Sequence, residues 1–134
     1  METIRIAVFD FNSEECSATA NAVDEHFEMV CESVVISQFT DMQKFAYTFR
    51  DGRLTDDPFS MVFVGVDNML GVETARNIRS LDKHCPMFLV SKVGDYGIEG
   101  FRLNALDYLV KPVTAERVKE AVTRIGMACL MGMQ

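Results

Sequence analysis

The chain has 134 residues, 49 % of them apolar and 25 % charged, with a formal net charge of −7, which suits one domain with a single core. The acidic balance argues against direct nucleic-acid binding by this domain, since such surfaces carry a basic patch or stripe. No apolar run approaches the roughly 20 residues of a membrane span. The start "METIRIAVFD" also lacks a signal peptide's basic and long apolar regions, so the expected location is cytoplasmic.

The run "IRIAVF", Ile4 to Phe9, predicts a first strand. Ser13 is then read as the cap of a helix that opens with Glu14 and Glu15, acids that suit a helix N-terminus. Its inner face is Cys16, Ala20, Val23 and Phe27. "MVCESVVI", Met29 to Ile36, predicts a second strand, and Glu32 and Ser33 in its middle suit an edge position. Thr40 and Gln43 form a capping box for a second helix, with Met42, Phe45, Ala46 and Phe49 as its apolar stripe. Asp51-Gly52 is expected to end that helix, and "LTDDP" reads as a polar loop.

"MVFVGV", Met61 to Val66, is a continuous apolar run, as in a central parallel strand covered on both faces. A third helix follows with Val72, Ala75, Ile78 and Leu81 inward. "MFLV" and "YLV" predict short fourth and fifth strands, with "DYGIEGFRLNA" as a fourth helix between them. Gly97 and Gly100 each cost that helix roughly 1 kcal/mol relative to alanine. A last helix from Thr114 carries the stripe Val118, Ala121, Val122, Ile125 and Cys129. The four cysteines contain no CxxC pair and read as buried thiols, while His26 and His84 read as surface or boundary residues without a metal-spaced partner.

Five strands alternating with five helices predict an α/β domain with a parallel sheet covered on both faces. Residues 1–125 form the domain, and residues 126–134 are the end of the last helix or the start of a linker. In such sheets the functional crevice lies at the carboxyl ends of the strands. That places Asp10-Phe11-Asn12, Gly65-Val66-Asp67, Ser91-Lys92 and Lys111-Pro112 at one edge. A carboxylate, a hydroxyl and a lysine converging there suit a phosphoryl group, with carboxylates holding Mg²⁺.

The stretches "GFRLNALDYLVKPVTAERVKEAV", "GVETARNIR" and "IRIAVFD" resemble the receiver domain of bacterial two-component response regulators. The resemblance is nearest to receivers that precede LytTR-type DNA-binding domains. It implies a flavodoxin-like fold with strand order 2-1-3-4-5, phosphorylation of an aspartate by a histidine kinase, and Mg²⁺ beside it. It implies a non-enzymatic role in transcription regulation through an output domain outside this chain. By position Asp10 matches the first of the family's acidic pair, Ser91 the hydroxyl that answers the phosphoryl group, and Tyr108 the switch aromatic. Lys111 matches the phosphate-contacting lysine, and Pro112 the proline whose peptide bond is usually cis.

Two positions depart from that pattern. The second acid is Phe11, and the acceptor position is Gly65, which has no side chain. Asp10 is therefore left as the remaining metal ligand, no cofactor is expected, and Mg²⁺ would matter only in a functional pocket. The loop after the third strand is about two residues short against the family, and Asp67 is either a turn residue or a displaced phosphoacceptor. Two residues of strand rise, roughly 6–7 Å, put Asp67 out of reach of Ser91 and Lys111, so the turn is the favoured reading and the chain a receiver without phosphoryl chemistry. With the acids at Phe11 and Gly65 missing, Lys111 is expected to pair directly with Asp10. A weak homodimer is expected through the fourth helix, fifth strand and fifth helix, where Arg102, Asp107, Glu116, Arg117, Lys119 and Arg124 are read as exposed. A flavodoxin-like enzyme or nucleotide or flavin binder is the alternative of another class. The chain lacks the Gly-rich phosphate loops of such proteins, GxGxxG or GxxxxGK[ST].

Overall fold

A computed structural model describes residues 3–93, 100 and 102–130. The elements in chain order are β1 (Ile4–Phe9), α1 (Ser13–Met29), β2 (Val34–Phe39), α2 (Met42–Leu54), β3 (Met61–Gly65), α3 (Met69–Leu81), β4 (Met87–Ser91), β5 (Asp107–Val110) and a C-terminal helix (Ala115–Leu130). All neighbouring strands are parallel, in the order β2-β1-β3-β4-β5. The alternation of elements predicted the parallel sheet, and this flavodoxin-like order is the one the receiver resemblance implied. Of the predicted fourth helix, residues 95–99, with Gly97, and residue 101 lie outside the described residues; Gly100 and Arg102 are helical, and residues 103–105 have already left the helix, with Asn104 at a positive φ of 55°.

The period of two along each strand divides the core between the faces. Ile6, Val8, Phe63 and Phe88 join Cys16, Ala20, Val23 and Phe27 of α1 and Val118 and Ala121 of the C-terminal helix. Ala7, Phe9, Val62, Val64 and Leu89 face Phe45 and Phe49 of α2 and Val72, Ala75 and Ile78 of α3. β3 and β4 are buried along their whole length, as central parallel strands must be, whereas β2 at the edge keeps Val35 51 % exposed.

Several boundaries differ from the sequence expectation, each for a local reason. Met29 ends α1 and Val30 caps it, and Cys31 then adopts a positive φ of 57°, so the chain turns there and β2 starts at Val34 and runs on through Phe39. Asn12, one residue before Ser13, caps α1 by accepting from the Glu15 amide. Asp41 in place of Thr40 caps α2, its carboxylate accepting from two amides, of Gln43 and Lys44. Gly52 does not end α2 but lies inside it, where a side chain would bring its Cβ within 2.6 Å of the Asp57 carbonyl. The C-terminal helix starts one residue after Thr114, whose hydroxyl accepts from the Arg117 amide.

Cys16 and Cys85 are buried, and burial pushes the Cys85 thiol up to about 12, but Cys31 is exposed, because it sits in the turn after α1 rather than in a strand. His26 is buried edge-on against Phe27, with its pKa lowered by burial and then by Lys119, so it is a core residue rather than a boundary one. Asp107 is likewise not exposed. Its carboxylate accepts from both Nη atoms of Arg117 (2.9 and 3.0 Å) and from Nε of Arg124 (2.9 Å), which commits within the chain charges that were expected to face a second copy. Among the described residues no helix is long and apolar enough to cross a membrane.

Arg79 ties the end of α3 to the approach to β5 in a way no periodicity announces. Its guanidinium donates to the carbonyls of Leu103 (2.6 Å), Asp82 (3.1 Å), Cys85 (2.8 Å) and Asn104 (3.4 Å). Removing it leaves part-buried carbonyls unpaired, so Arg79→Ala should cost about 2–3 kcal/mol in urea unfolding. Lysine lacks the planar fork and should not rescue the loss. An unchanged midpoint in Arg79→Ala would show that water replaces the cage at no cost.

Candidate functional site

The sheet order brings the carboxyl ends of β1, β3, β4 and β5 side by side. Asp10 follows β1 and is 7 % exposed. Its Oδ1 accepts from the Asn12 amide at 3.0 Å, and its Oδ2 accepts from Lys111 Nζ at 2.6 Å, so the expected pairing of Asp10 with Lys111 is present. Gly65 closes β3 directly beside it. A Cβ built there would collide with the Asp10 carboxylate, which fills the space that a side chain at 65 would need.

One residue past Gly65 the chain still pairs with β4, the Val66 amide donating to the Val90 carbonyl at 2.9 Å, and it then bends at Asp67 and Asn68 into α3. Asn68 caps α3 by accepting from the Gly71 amide at 2.8 Å, and Gly71 lets the helix start lie against the Gly65 carbonyl, where a Cβ would collide. The short loop therefore aims Asp67 into the pocket. Its Oδ1 accepts from the Ser91 hydroxyl (2.7 Å) and the Lys92 amide (2.8 Å), and its Oδ2 accepts from Lys111 Nζ (2.6 Å). The expectation that Asp67 lies out of reach fails because the β3–β4 register carries Ser91 and Lys92 up beside it and Lys111 extends to the same carboxylate.

Lys111 is the centre of the site, with a side chain 8 % exposed. Its ammonium donates to Asp10, Glu15 and Asp67, each at 2.6 Å. A lysine has three N–H protons, and all three are used. Burial disfavours its charge, but the three carboxylates outweigh burial and raise its pKa above the ordinary lysine value. Burial also opposes the Asp67 charge, and Lys111, the Lys92 amide and Ser91 reverse that and hold the carboxyl below its usual range. Glu15 is lowered by Lys111 and then by Lys92, whose Nζ lies 2.9 Å from its second oxygen.

Asp10 is thus not the only acid left. Asp10, Glu15 and Asp67 offer carboxylate oxygens within 4.8 Å of one another. Sequence reasoning missed Glu15, treating it only as a helix-dipole acid, although it stands three residues after the α1 cap and that cap follows Asp10 by two. Three carboxylates are the donor type for Mg²⁺, yet the Lys111 ammonium sits 2.6 Å from all three. A metal does not fit this arrangement unless Lys111 leaves. Phe11 turns away from the pocket and packs edge-on against Phe9, 5.0 Å between centroids. Ser91 is fully buried, Tyr108 donates its hydroxyl to the Val93 carbonyl at 2.9 Å, and the Lys111–Pro112 peptide is cis.

No family model matches the chain. The receiver domain of AraT, a response regulator from Geobacillus stearothermophilus, superposes with a TM-score of 0.71 at 18 % identity, covering 98 % of both chains. The chemotaxis response regulator CheY4 of Vibrio cholerae gives 0.64 at 16 % identity over 92 % of this chain and 99 % of that one. The fold is that of a response-regulator receiver domain. Sequence relatives of this receiver fold include the sensory transduction protein LytR of Staphylococcus epidermidis, 27 % identical over 78 residues, which are 57 % of this chain and 31 % of that protein. The sensory transduction protein LytT of Oceanobacillus iheyensis is 39 % identical over 57 residues, 41 % of this chain and 23 % of that protein. The chain matches about a third or less of the length of these curated relatives.

Proposed function

We propose that this receiver domain works through protein contacts, controlling an output domain outside the chain, with its phosphoryl pocket filled by its own side chains. One observation carries this reading. The Ser91 hydroxyl, the Lys92 amide and all three Lys111 protons are committed to carboxylates of the same chain. Those are the groups that would otherwise hold an incoming oxyanion, and Gly65 offers no acceptor. A carboxylate tethered by a short loop meets the donors with no association entropy to overcome, so a free anion competes at a disadvantage. Regulation of transcription through a LytTR-type output domain, contact with a histidine kinase and a cytoplasmic location belong to the same proposal. The weak homodimer stays part of it too, with Arg102, Glu116, Lys119 and Arg124 exposed among the charges expected to make it, while Asp107 and Arg117 pair with each other within the chain.

A second reading has its own support: Asp67 touches both Ser91 and Lys111, as a displaced phosphoacceptor would. Acetyl phosphate followed by Phos-tag electrophoresis decides between the two. No retarded band is expected, and Mg²⁺ with beryllofluoride should leave the melting temperature unchanged. A ligand at ten times its Kd would add about 1.4 kcal/mol, which is several degrees for a domain of this size. A band or shift that disappears in Asp67→Asn would make Asp67 the acceptor. A flavin or nucleotide absorbance in the purified protein would support the enzyme alternative instead.

A further inference from the structure

We propose that Glu15 is the gate of this pocket, the one carboxylate whose withdrawal opens the site to a small tetrahedral oxyanion. The inference rests on the reading that the chain's own carboxylates occupy the pocket. The three acids around Lys111 are not held alike. Asp10 is fixed from behind by the Asn12 amide, and Asp67 by the Lys92 amide and the buried Ser91 hydroxyl. Glu15 has no such second anchor among the described contacts. Its Oε1 meets Lys111 and its Oε2 meets Lys92 at 2.9 Å, and the Lys92 side chain is 63 % exposed. An ion pair that exposed holds weakly.

Glu15 also stands at the right place. A cleft of about 260 Å³ is lined by Glu15, Thr19, Lys92, Lys111 and Val113, so the Glu15 carboxylate lies between two ammonium groups at the cleft wall. While it stays, Lys111 has no free proton, and three carboxylates face two ammoniums. When it swings out, one Lys111 N–H and the Lys92 ammonium turn to the cleft together, and the local formal charge becomes neutral. Asp10 and Asp67 need not move. A four-bond side chain at the first turn of a helix makes that swing without altering the backbone.

Amide spectra of the ¹⁵N-labelled full chain, titrated with inorganic phosphate at constant ionic strength, test the gate. In the wild type the Ser91, Lys92 and Lys111 amides should show no saturable shift. In Glu15→Ala the Lys92 and Lys111 amides should saturate, with binding about tenfold tighter than any in the wild type, the size expected for removing one charge near a dianion. Glu15→Gln keeps the side-chain shape and should fall between, and it stands in should the alanine variant misfold. Glu14→Ala removes the same charge one residue away, outside the pocket, and should stay silent. A silent Glu15→Ala, or a Glu14→Ala that opens the site equally, overturns the gate and leaves the occupied-pocket reading intact. Saturable shifts at Ser91 in the wild type would sink the occupied-pocket reading itself.

Discussion

Gly65→Ala should destabilise the protein by about 2–4 kcal/mol although it adds one methyl group to a strand end. The new Cβ would overlap the Asp10 carboxylate, with the carboxyl carbon only 2.7 Å away and the Asp10 Cβ at 3.2 Å. Asp10 has little room to retreat, because its amide donates to the Phe39 carbonyl and its Oδ1 accepts from the Asn12 amide. Overpacking of this kind costs about 1–3 kcal/mol, and pushing Asp10 off Lys111 adds the cost of a disturbed buried charge pair. Urea unfolding measures the sum. A change within about 0.5 kcal/mol, the usual size of a neutral surface substitution, would mean that Asp10 does not fill the glycine's space. The same collision predicts that Phe11→Asp with Gly65→Asp does not rebuild a metal site, since an acid at position 65 would displace the Asp10 carboxylate in a pocket that already holds three.

Lys111→Met should have a comparable or larger effect, about 3–5 kcal/mol at neutral pH, the usual result of removing one partner from a buried ion pair. Its diagnostic is the pH profile. In the wild type the folded pKa values of Asp67, Glu15 and Asp107 lie below their unfolded values. Their stabilisation is therefore present above the unfolded carboxyl range, about pH 4, and is lost as pH falls through the lowered folded values. Lys111 has the opposite sign: its folded value is raised, so its contribution holds below about pH 10.4 and is lost as pH climbs through the folded value. Without the ammonium, three carboxylates repel one another and bind protons more readily when folded. Relative to the wild type, Lys111→Met should then gain stability as pH falls from 7 to 5, while the loss from His26, whose lowered folded value lets the unfolded chain bind protons first, is common to both. A variant whose profile runs parallel to the wild type in that range would show that the three acids do not converge in solution.

The sheet was legible because each strand is an apolar run bounded by turn residues, and the fully buried β3 and β4 carry the signal without interruption. Asp10, Ser91 and Lys111 were legible for a related reason: parallel topology forces whatever follows each strand to one edge. What escaped was decided by contacts distant in sequence or by loop geometry. Asp67 was placed out of reach by strand arithmetic, but Ser91, Lys92 and the long side chain of Lys111 extend along the same edge far enough to meet it. Glu15 looked like an ordinary first-turn acid, and only the approach of β5, 96 residues further on, gives it Lys111 as a partner. Met29 and Val30 open the apolar run read as a strand, yet α1 keeps Met29, itself a good helix former, and the positive φ of Cys31 postpones the strand. The Arg79 cage joins carbonyls that no local pattern connects.

The fit of Asp10 against Gly65 also ties several positions of the pocket to one another. An acid placed at position 65 would first meet the carboxylate lodged there. An acid at position 11 would first withdraw an aromatic ring from its contact with Phe9. Shifting Asp67 out of the way would strip Ser91 and Lys92 of their acceptor. Each single substitution thus breaks an existing contact before a new one can form, so the positions around the pocket are energetically coupled whichever residue changes first. Descendants of this chain are expected to keep Gly65, Asp67 and Gly71 together or to lose them together, a pattern that a survey of diverged sequences can count.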